Sequence, residues 1–298
     1  MKFTVTAALV AVICITSPAK AQIADPLRAA IDAAIEGGNA SEVDTVAKFA
    51  KKAQPDAVDD IDALVGAWKT RTADDKQAAL AQAGLFDNWE GEGQLGFLRT
   101  TGNTDNLGFN AGLRIGRNGL DWTHELRALV DYQKTNDIIT RERIMAAVES
   151  QYRFDETAFA FGQLQYERDR FQGVRSRYAV AGGIGWTVLD EPSYRLALKA
   201  GPAFRHTDYT DGVSEDVITG LAALDGEWTI ASGLKLTEHA ETFVAADNST
   251  LTSTTALDAK LIGALSARLS YTLDYETAPP AGQVKLDTLS RASLVYDF

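Results

Sequence analysis

Residues 265–275 read Leu265-Ser-Ala-Arg-Leu-Ser-Tyr-Thr-Leu-Asp-Tyr275, and every second side chain in this run is apolar. The side chains between them are small, polar or charged. A period of two is typical of a β-strand with two different faces. The same alternation recurs in residues 107–115, 144–152 and 194–205. Alternating segments of about ten residues are typical of a transmembrane β-barrel, although a soluble β-sandwich alternates as well.

The connections between these segments give a second test. Longer links such as 134–140 and 206–215 alternate with short ones such as 155–156 and 231–232. Outer-membrane barrels have long extracellular loops and short periplasmic turns. The sequence therefore predicts a mainly β fold, a transmembrane antiparallel up-and-down β-barrel of about 12 strands with both ends in the periplasm. The predicted strands are 89–100, 106–116, 121–133, 141–154, 157–169, 177–189, 194–205, 216–230, 233–245, 251–262, 264–276 and 284–298.

The last predicted strand carries a third indication. Leu294, Tyr296 and Phe298 share its apolar face, and Phe298 is the final residue of the sequence. A strand that ends in Tyr-x-Phe resembles the terminal signal read by the barrel assembly machinery of Gram-negative bacteria. We expect Tyr296 and Phe298 to lie in the periplasmic aromatic girdle and to form this barrel-assembly signal.

Residues 1–21 have the form of a secretory signal peptide. Basic Met1-Lys2 precedes an apolar run to Thr16, and Ala19-Lys20-Ala21 is a small-x-small cleavage site. An N-terminal membrane anchor is the alternative. Cys14 lies inside the apolar run in a poor context for lipid attachment. Cleavage would remove this cysteine, the only one in the sequence.

From residue 22 to about residue 88 the apolar period is helical. We predict a first helix capped by Asp25, a second opened by Ser41, and a third over 57–83 that is broken near 70–72. The predicted domains are thus a signal peptide (1–21), a periplasmic α-helical segment (22–88) and an outer-membrane β-barrel (89–298). The helical segment is interpreted as a small hairpin unit or spacer, with a dedicated binding domain as the alternative.

Composition excludes two classes of protein. The 298 residues are 45% hydrophobic and 23% charged, and the mean hydropathy is −0.14. This is too polar for a bundle of membrane helices, each of which needs about 20 mostly apolar residues. The net charge of −12 argues against a nucleic-acid partner, since such proteins usually present a basic face.

The charged strand face is assigned to the barrel lumen, because a charge facing lipid costs about 2–4 kcal/mol at the midplane. One interpretation is an ion or solute path with a basic wall, suited to acidic sugars. The other is that opposite charges pair and fill the lumen. The lumen-lining candidates are Arg114, Arg127, Arg143, Arg153, Arg195, Lys199, Arg205, Glu125, Asp131, Glu149, Glu167 and Asp169.

Catalytic and metal-binding patterns are weak. His124 falls on the apolar face beside Trp122 and Leu126, and the sequence identifies no serine partner for it. No pair of histidines has ligand spacing. We therefore expect no enzyme, no catalytic or metal-binding residues and no cofactor.

Five stretches along the strand region occur in the same order in a known family. They are Gly93-Gln94-Leu95-Gly96-Phe97 with Thr101-Gly102-Asn103-Thr104, Tyr166-Glu167-Arg168-Asp169-Arg170-Phe171, Ala181-Gly182-Gly183-Ile184-Gly185-Trp186, Gly201-Pro202-Ala203-Phe204 and Leu294-Val295-Tyr296-Asp297-Phe298. With them, residues of about 89–298 resemble the salt-induced outer-membrane protein family, domain of unknown function family 481. The resemblance implies an outer-membrane barrel of unassigned activity. It does not cover residues 22–88.

These observations predict a porin-like outer-membrane barrel of a Gram-negative bacterium. We expect a narrow channel or an envelope protein for stress and salt adaptation. The alternative is a closed structural or interaction barrel that displays the periplasmic helical segment; a lipid-modifying enzyme is less favoured, and a soluble periplasmic β-protein is the alternative fold. Expected partners are outer-membrane lipid, the barrel assembly machinery and small ions or solutes, with the oligomeric state open.

Overall fold

The computed structural model describes residues 22–84, 87–101, 105–280 and 282–298. The predicted signal peptide and residues 102–104 of the family stretch lie outside these ranges. The chain divides into two compact units, one up to Lys76 and one from Gln77 onward. Each unit is described by itself.

The N-terminal unit has a small apolar core. Ile31, Val43 and Ile61 are fully buried at its centre, where alanines pack beside them. Among the described residues, no helix is both long enough and apolar enough to cross a membrane. The helices are α1 (Asp25–Gly37), α2 (Ala40–Ala53) and α3 (Val58–Gln82), with a 3-10 turn at Pro55–Ala57.

The helix ends differ from the prediction in detail. Ala24, and not Asp25, is the N-cap of α1. Asn39 caps α2, because its Oδ1 accepts the backbone N–H groups of Ser41 and Glu42 at 3.0 and 3.3 Å. An Asn at this position accepts these otherwise unpaired donors as well as Ser does. The expected break near 70–72 is absent from α3, which is continuous over its described length.

The second unit is a closed antiparallel barrel, which confirms the predicted fold. The described residues form twelve strands, each hydrogen-bonded to its sequence neighbours, and β1 pairs with β12 to close the sheet. The strands are β1 (Trp89–Thr100), β2 (Asn106–Asn118), β3 (Trp122–Thr135), β4 (Ile138–Arg153), β5 (Ala158–Asp169), β6 (Val174–Glu191), β7 (Tyr194–Tyr209), β8 (Ser214–Ala231), β9 (Leu234–Val244), β10 (Thr250–Ile262), β11 (Leu265–Glu276) and β12 (Leu286–Asp297).

Closure of the sheet extends to Phe298. The backbone N–H of Phe298 donates to Gly91 O at 2.8 Å, and Gly91 N–H donates to Phe298 O at 2.9 Å. A Cβ on Gly91 would lie 2.5 Å from the Phe298 ring. A side chain at position 91 would displace the Phe298 ring from its place against β1.

The two barrel ends differ in their connections. We call the end where β1 begins and β12 ends proximal, and the opposite end distal. Proximal turns such as 192–193 and 232–233 are tight, whereas the distal loop 277–285 is long. The prediction of a long loop over 134–140 is wrong. Strands β3 and β4 are joined by Asn136 and Asp137 alone, and both residues have positive φ. Two such residues form the turn that suits a tight hairpin.

The outward face carries an apolar belt between two aromatic levels. Trp122 and Tyr132 are ten residues apart on β3, as are Tyr194 and Phe204 on β7. At about 3.3 Å per residue and a tilt of about 40°, ten residues span about 25 Å along the barrel axis. Other exposed aromatic residues on this face are Trp89, Phe97, Phe109, Tyr152, Tyr178, Trp186, Trp228, Tyr271, Tyr275, Tyr296 and Phe298.

Candidate functional site

The strand register places all twelve lumen-lining candidates on the inward face. Arg114 pairs with Arg127, for example, and Arg143 pairs with both Asp131 and Asp169. Arg153 and Arg195 lie near the proximal end and form no ion pair within the described ranges. Inward charged residues that the sequence interpretation did not name include Glu92, Arg177, Asp225, Glu227, Lys235, His239, Glu241, Asp258, Arg268, Asp274, Glu276, Asp287 and Arg291.

The distal half of the lumen is crossed by a cluster of five charged side chains, which we call the distal cluster. Arg143 Nη1 lies 2.7 Å from Asp274 Oδ2 on β11, and Arg143 Nη2 lies 3.0 Å from Glu167. Arg177 lies 3.4 Å from Glu167 and 3.5 Å from Glu276 on β11. Since β4 and β6 lie across the barrel from β11, these pairs join facing walls. All five side chains are buried or nearly so.

A second bridge in the distal half is bidentate. Arg291 Nε and Nη2 lie 2.8 and 2.5 Å from the two Asp131 oxygens, and Arg291 Nη1 donates to Thr272 Oγ1 at 3.0 Å. The two parallel contacts fix the guanidinium plane relative to the carboxylate. They tie β12 to β3 inside the lumen.

The proximal half contains a contact between diametrically opposed strands. Arg127 Nη1 on β3 lies 2.9 Å from His239 Nε2 on β9, six places away in the closed strand order. His239 Nδ1 lies 2.6 Å from Asp225 Oδ1. A neutral ring with its proton on Nδ1 satisfies both contacts, because Nε2 then accepts from arginine. Lys199 Nζ lies 2.5 Å from Glu149 Oε2 and joins β7 to β4 nearby.

Arg268 forms a third group near the proximal mouth. It contacts Glu92 at 2.8 Å and Asp258 at 2.6 Å. Both carboxylates receive two nitrogens of the same guanidinium. This group pairs neighbouring and next-neighbouring strands and does not cross the lumen.

An apolar patch lines the inner wall between β5 and β9. Phe161, Leu221 and Phe243 are buried there. Lys199 Nζ lies 5.7 Å from the Phe161 ring centre, and the Arg205 guanidinium lies 5.1 Å from that of Phe243. These cation–π contacts hold two cations against the wall. Together the ion pairs and the cation–π contacts connect the walls inside the lumen at several levels.

Glu238 is a carboxylate that faces outward at the level of the apolar belt. Glu238 on β9 pairs with Gly226 and Thr255, which places it on the outward face within the apolar belt. Ser253 Oγ and Thr255 Oγ1 donate to its two oxygens at 2.6 and 2.5 Å. The two hydroxyls satisfy the carboxylate where lipid offers no donor.

The outward histidine has a serine neighbour that the sequence did not reveal. His124 Nδ1 lies 2.9 Å from Ser150 Oγ, since the two residues are paired across β3 and β4. In the part of the chain that the structure describes, no carboxylate lies within 4 Å of His124, so a third member that would orient the imidazole is missing. The described ranges also contain no group of three or more His, Cys, Asp or Glu side chains arranged to hold a metal ion.

The fold and the inward ion pairs define the protein as a closed antiparallel barrel with a polar, internally bridged lumen. Residues 93–298 match the model of the family described as "Protein of unknown function, DUF481". The chain belongs to this family, which confirms the resemblance. It is similar to the uncharacterized protein YdiY of Escherichia coli (strain K12), with 26% identity over 192 residues, 64% of this chain and 76% of that protein.

Solved structures of similar fold are membrane barrels of low sequence identity. The COG4313 outer membrane channel from Pseudomonas putida F1 is 10% identical, with a TM-score of 0.45 over 73% of this chain and 100% of that one. The NanC porin is 10% identical, with a TM-score of 0.41 over 69% and 97%. The KdgM porin is 10% identical, with a TM-score of 0.39 over 70% and 99%. At this level of similarity no residue role transfers to this chain.

Proposed function

We propose that this protein is an outer-membrane barrel of a Gram-negative bacterium whose lumen is closed by ion pairs. The outward belt supports the membrane location, because its height of about 25 Å is that of outer-membrane barrels. Its two aromatic levels match the two interfaces, and the proximal end is the periplasmic one. Tyr296 and Phe298 lie exposed at that end, as the proposed assembly signal requires.

One observation carries the closed lumen: side chains from opposite walls contact each other directly. Arg127 meets His239 in the proximal half, and Arg143 meets Asp274 in the distal half. A diffusing solute would have to break both levels of contact. We therefore favour a structural or interaction barrel over a permanently open pore, with the helical segment on the periplasmic side.

The helical unit suits an interaction role in this proposal. A shallow cavity of about 360 Å³ on its surface is lined by Lys48, Lys51, Lys52 and Lys69 together with Asp44, Ala47, Asp62 and Val65. Lys51 pairs with Asp62 and Lys69 pairs with Asp44. Lys48 and Lys52 remain available to an acidic partner in the envelope.

A gated narrow channel is the second candidate, and one observation favours it. The closure consists of side chains, which can rotate, and the inward charges near the proximal mouth are exposed. Arg114 and Lys235 show about half of their side-chain surface. In this case a role in envelope stress or salt adaptation is a natural extension, since salt weakens exposed ion pairs.

Planar-bilayer recording separates the two candidates. We expect no stepwise current from the wild-type barrel. The quadruple variant Arg127→Ala, His239→Ala, Arg143→Ala, Arg177→Ala should conduct, because it removes the contacts between facing walls in both halves of the lumen. Lys235→Ala is the matched control, because it removes an inward charge that does not cross the lumen. Stepwise current from the wild type would overturn the closed barrel and support the channel.

If deletion of residues 22–88 gives the phenotype of full deletion, the helical segment carries the biological role.

A further inference from the structure

We propose that the outward face of the distal end binds the phosphate groups of an anionic lipid in the outer leaflet. The proposal rests on the membrane-spanning barrel proposed above. The site, which we call the rim patch, consists of Arg168, Arg170 and Arg175 with Glu142 and Asp208.

Register places the rim patch just beyond the apolar belt. Arg168 pairs with Ile144 and follows Tyr166 by two residues, so it shares the outward face of β5. Tyr166 pairs with Tyr178, and their rings lie 5.2 Å apart. Aromatic side chains of this kind mark the membrane interface. The three guanidinium groups therefore lie at the depth of lipid headgroups.

Two of the arginines share a single carboxylate. Arg168 Nη2 lies 3.2 Å from Glu142 Oε1, and Arg170 Nη1 lies 4.0 Å from Glu142 Oε2. Arg168 Nε is buried without a hydrogen-bond partner within the described ranges. The Arg170 side chain is 56% exposed. The exposed Arg170 guanidinium therefore keeps N–H donors for another anion, whereas the buried Arg168 Nε does not reach one.

The third arginine has an acid that is already engaged. Arg175 Nη2 lies 3.8 Å from Asp208 Oδ1, and the Arg175 side chain is 59% exposed. Ser176 Oγ and Ser214 Oγ donate to the two Asp208 oxygens at 2.9 and 2.6 Å. The contact between Arg175 and Asp208 is consequently long, and the guanidinium keeps its donors for an external group.

Most of the outward charge at the distal end lies on β4 to β8. At the distal ends of β9 to β12, the outward residues of the described strands are uncharged, among them Val244, Leu251, Tyr275 and Leu286. Arg99 on β1 and Lys134 on β3 are single outward cations outside the rim patch. Guanidinium groups bind phosphate oxygens in pairs, so two exposed arginines and the partly exposed Arg168 above an aromatic pair suit a phosphorylated headgroup.

The test uses the full chain refolded in phosphatidylcholine vesicles that contain diphosphorylated lipid A. Bound lipid is counted by native mass spectrometry after extraction, and apparent affinity is taken from a lipid titration. We expect Arg168→Gln, Arg170→Gln, Arg175→Gln to weaken binding about tenfold, since each lost guanidinium removes charge-assisted hydrogen bonds. Lipid A without phosphates should bind the wild type as weakly as the variant binds the phosphorylated form.

The control variant removes the same charge elsewhere. Arg28→Gln, Arg71→Gln, Lys76→Gln in the helical segment should leave binding within about twofold of the wild type. An equal loss in both variants would overturn the proposal, as would tight binding of phosphate-free lipid A. Inorganic phosphate that competes at millimolar concentration would assign the site to free phosphate and overturn the lipid as ligand.

Insertion is scored first by heat-modifiable gel mobility in vesicles without lipid A. A chain that does not insert refutes the proposed membrane barrel itself. A chain that inserts but binds lipid A no better than the variant refutes only the rim patch.

Discussion

Replacing Arg143 with glutamine tests whether ion pairs across the lumen stabilise the barrel. The Arg143 side chain is 8% exposed and contacts Asp274 at 2.7 Å and Glu167 at 3.0 Å. Thr252 Oγ1 still donates to Asp274 at 2.8 Å, and Arg177 remains 3.4 Å from Glu167. Removing one partner of a buried pair costs about 3–5 kcal/mol, and these remaining contacts place the expected loss near 3 kcal/mol.

The loss is measured as a change in the free energy of unfolding. The barrel is unfolded with urea in phosphatidylcholine vesicles and followed by tryptophan fluorescence. Lys235→Gln is the matched control, since Lys235 also faces inward but is 45% exposed and lies 3.4 Å from Glu227. An exposed pair contributes about 0–1 kcal/mol, so the control should stay within that range.

A double-mutant cycle isolates the pair itself. Asp274→Asn combined with Arg143→Gln should cost less than the sum of the two single substitutions, because the second change removes the unpaired charge left by the first. If Arg143→Gln costs no more than Lys235→Gln, or if the two losses add, the pair across the lumen does not stabilise the barrel.

Four further experiments test other features. Gly183→Ala should reduce the folded yield in vesicles, measured by gel mobility, because the new Cβ would lie 2.1 Å from Ala200 O; a normal yield would contradict the close approach of β6 and β7. Deleting Phe298 should slow assembly of the barrel into outer-membrane fractions, whereas Phe298→Tyr should assemble at the wild-type rate. If the deletion variant assembles as fast as the wild type, Phe298 is not an assembly signal. Ser150 should not react with a fluorophosphonate probe, since the neighbouring His124 has no acid to orient it. If the wild type is labelled and Ser150→Ala is not, Ser150 is a nucleophile. Glu238→Leu should raise the free energy of unfolding by about 1 kcal/mol, because the substitution removes a carboxylate from the lipid-facing belt. A lower free energy of unfolding would indicate that another polar group shields Glu238 from lipid.

Strand positions were largely predictable because alternation is a local property of the sequence. The predicted ranges 89–100 and 157–169 agree with β1 and β5 within a residue. The link at 134–140 was mispredicted, since polar residues such as Lys134 and Thr140 continue the strands beyond the apolar belt. A strand that extends above the membrane no longer needs an apolar face, so the alternation ends before the hydrogen-bonded ladder does.

The partners within the lumen were not predictable in the same way. Alternation identifies Arg127 and Asp131 as inward, but which residue each one meets depends on barrel closure and on the stagger of the strands. His239 and Arg291 illustrate this, because their partners are more than a hundred residues away in sequence. The outward position of Glu238 was not predicted for a different reason. Two hydroxyls on β10 donate hydrogen bonds to its carboxylate, and no pattern within β9 indicates them.

The seam between β1 and β12 has a consequence for biogenesis. Gly91 and Phe298 exchange two backbone hydrogen bonds although they lie roughly 200 residues apart in sequence. Until Phe298 has been synthesised, β1 presents an unpaired edge that invites aggregation. The sheet closes only after every other strand exists, so the unclosed chain presents this edge until synthesis is complete. The lifetime of that unclosed state, rather than the stability of the finished barrel, sets the risk of aggregation.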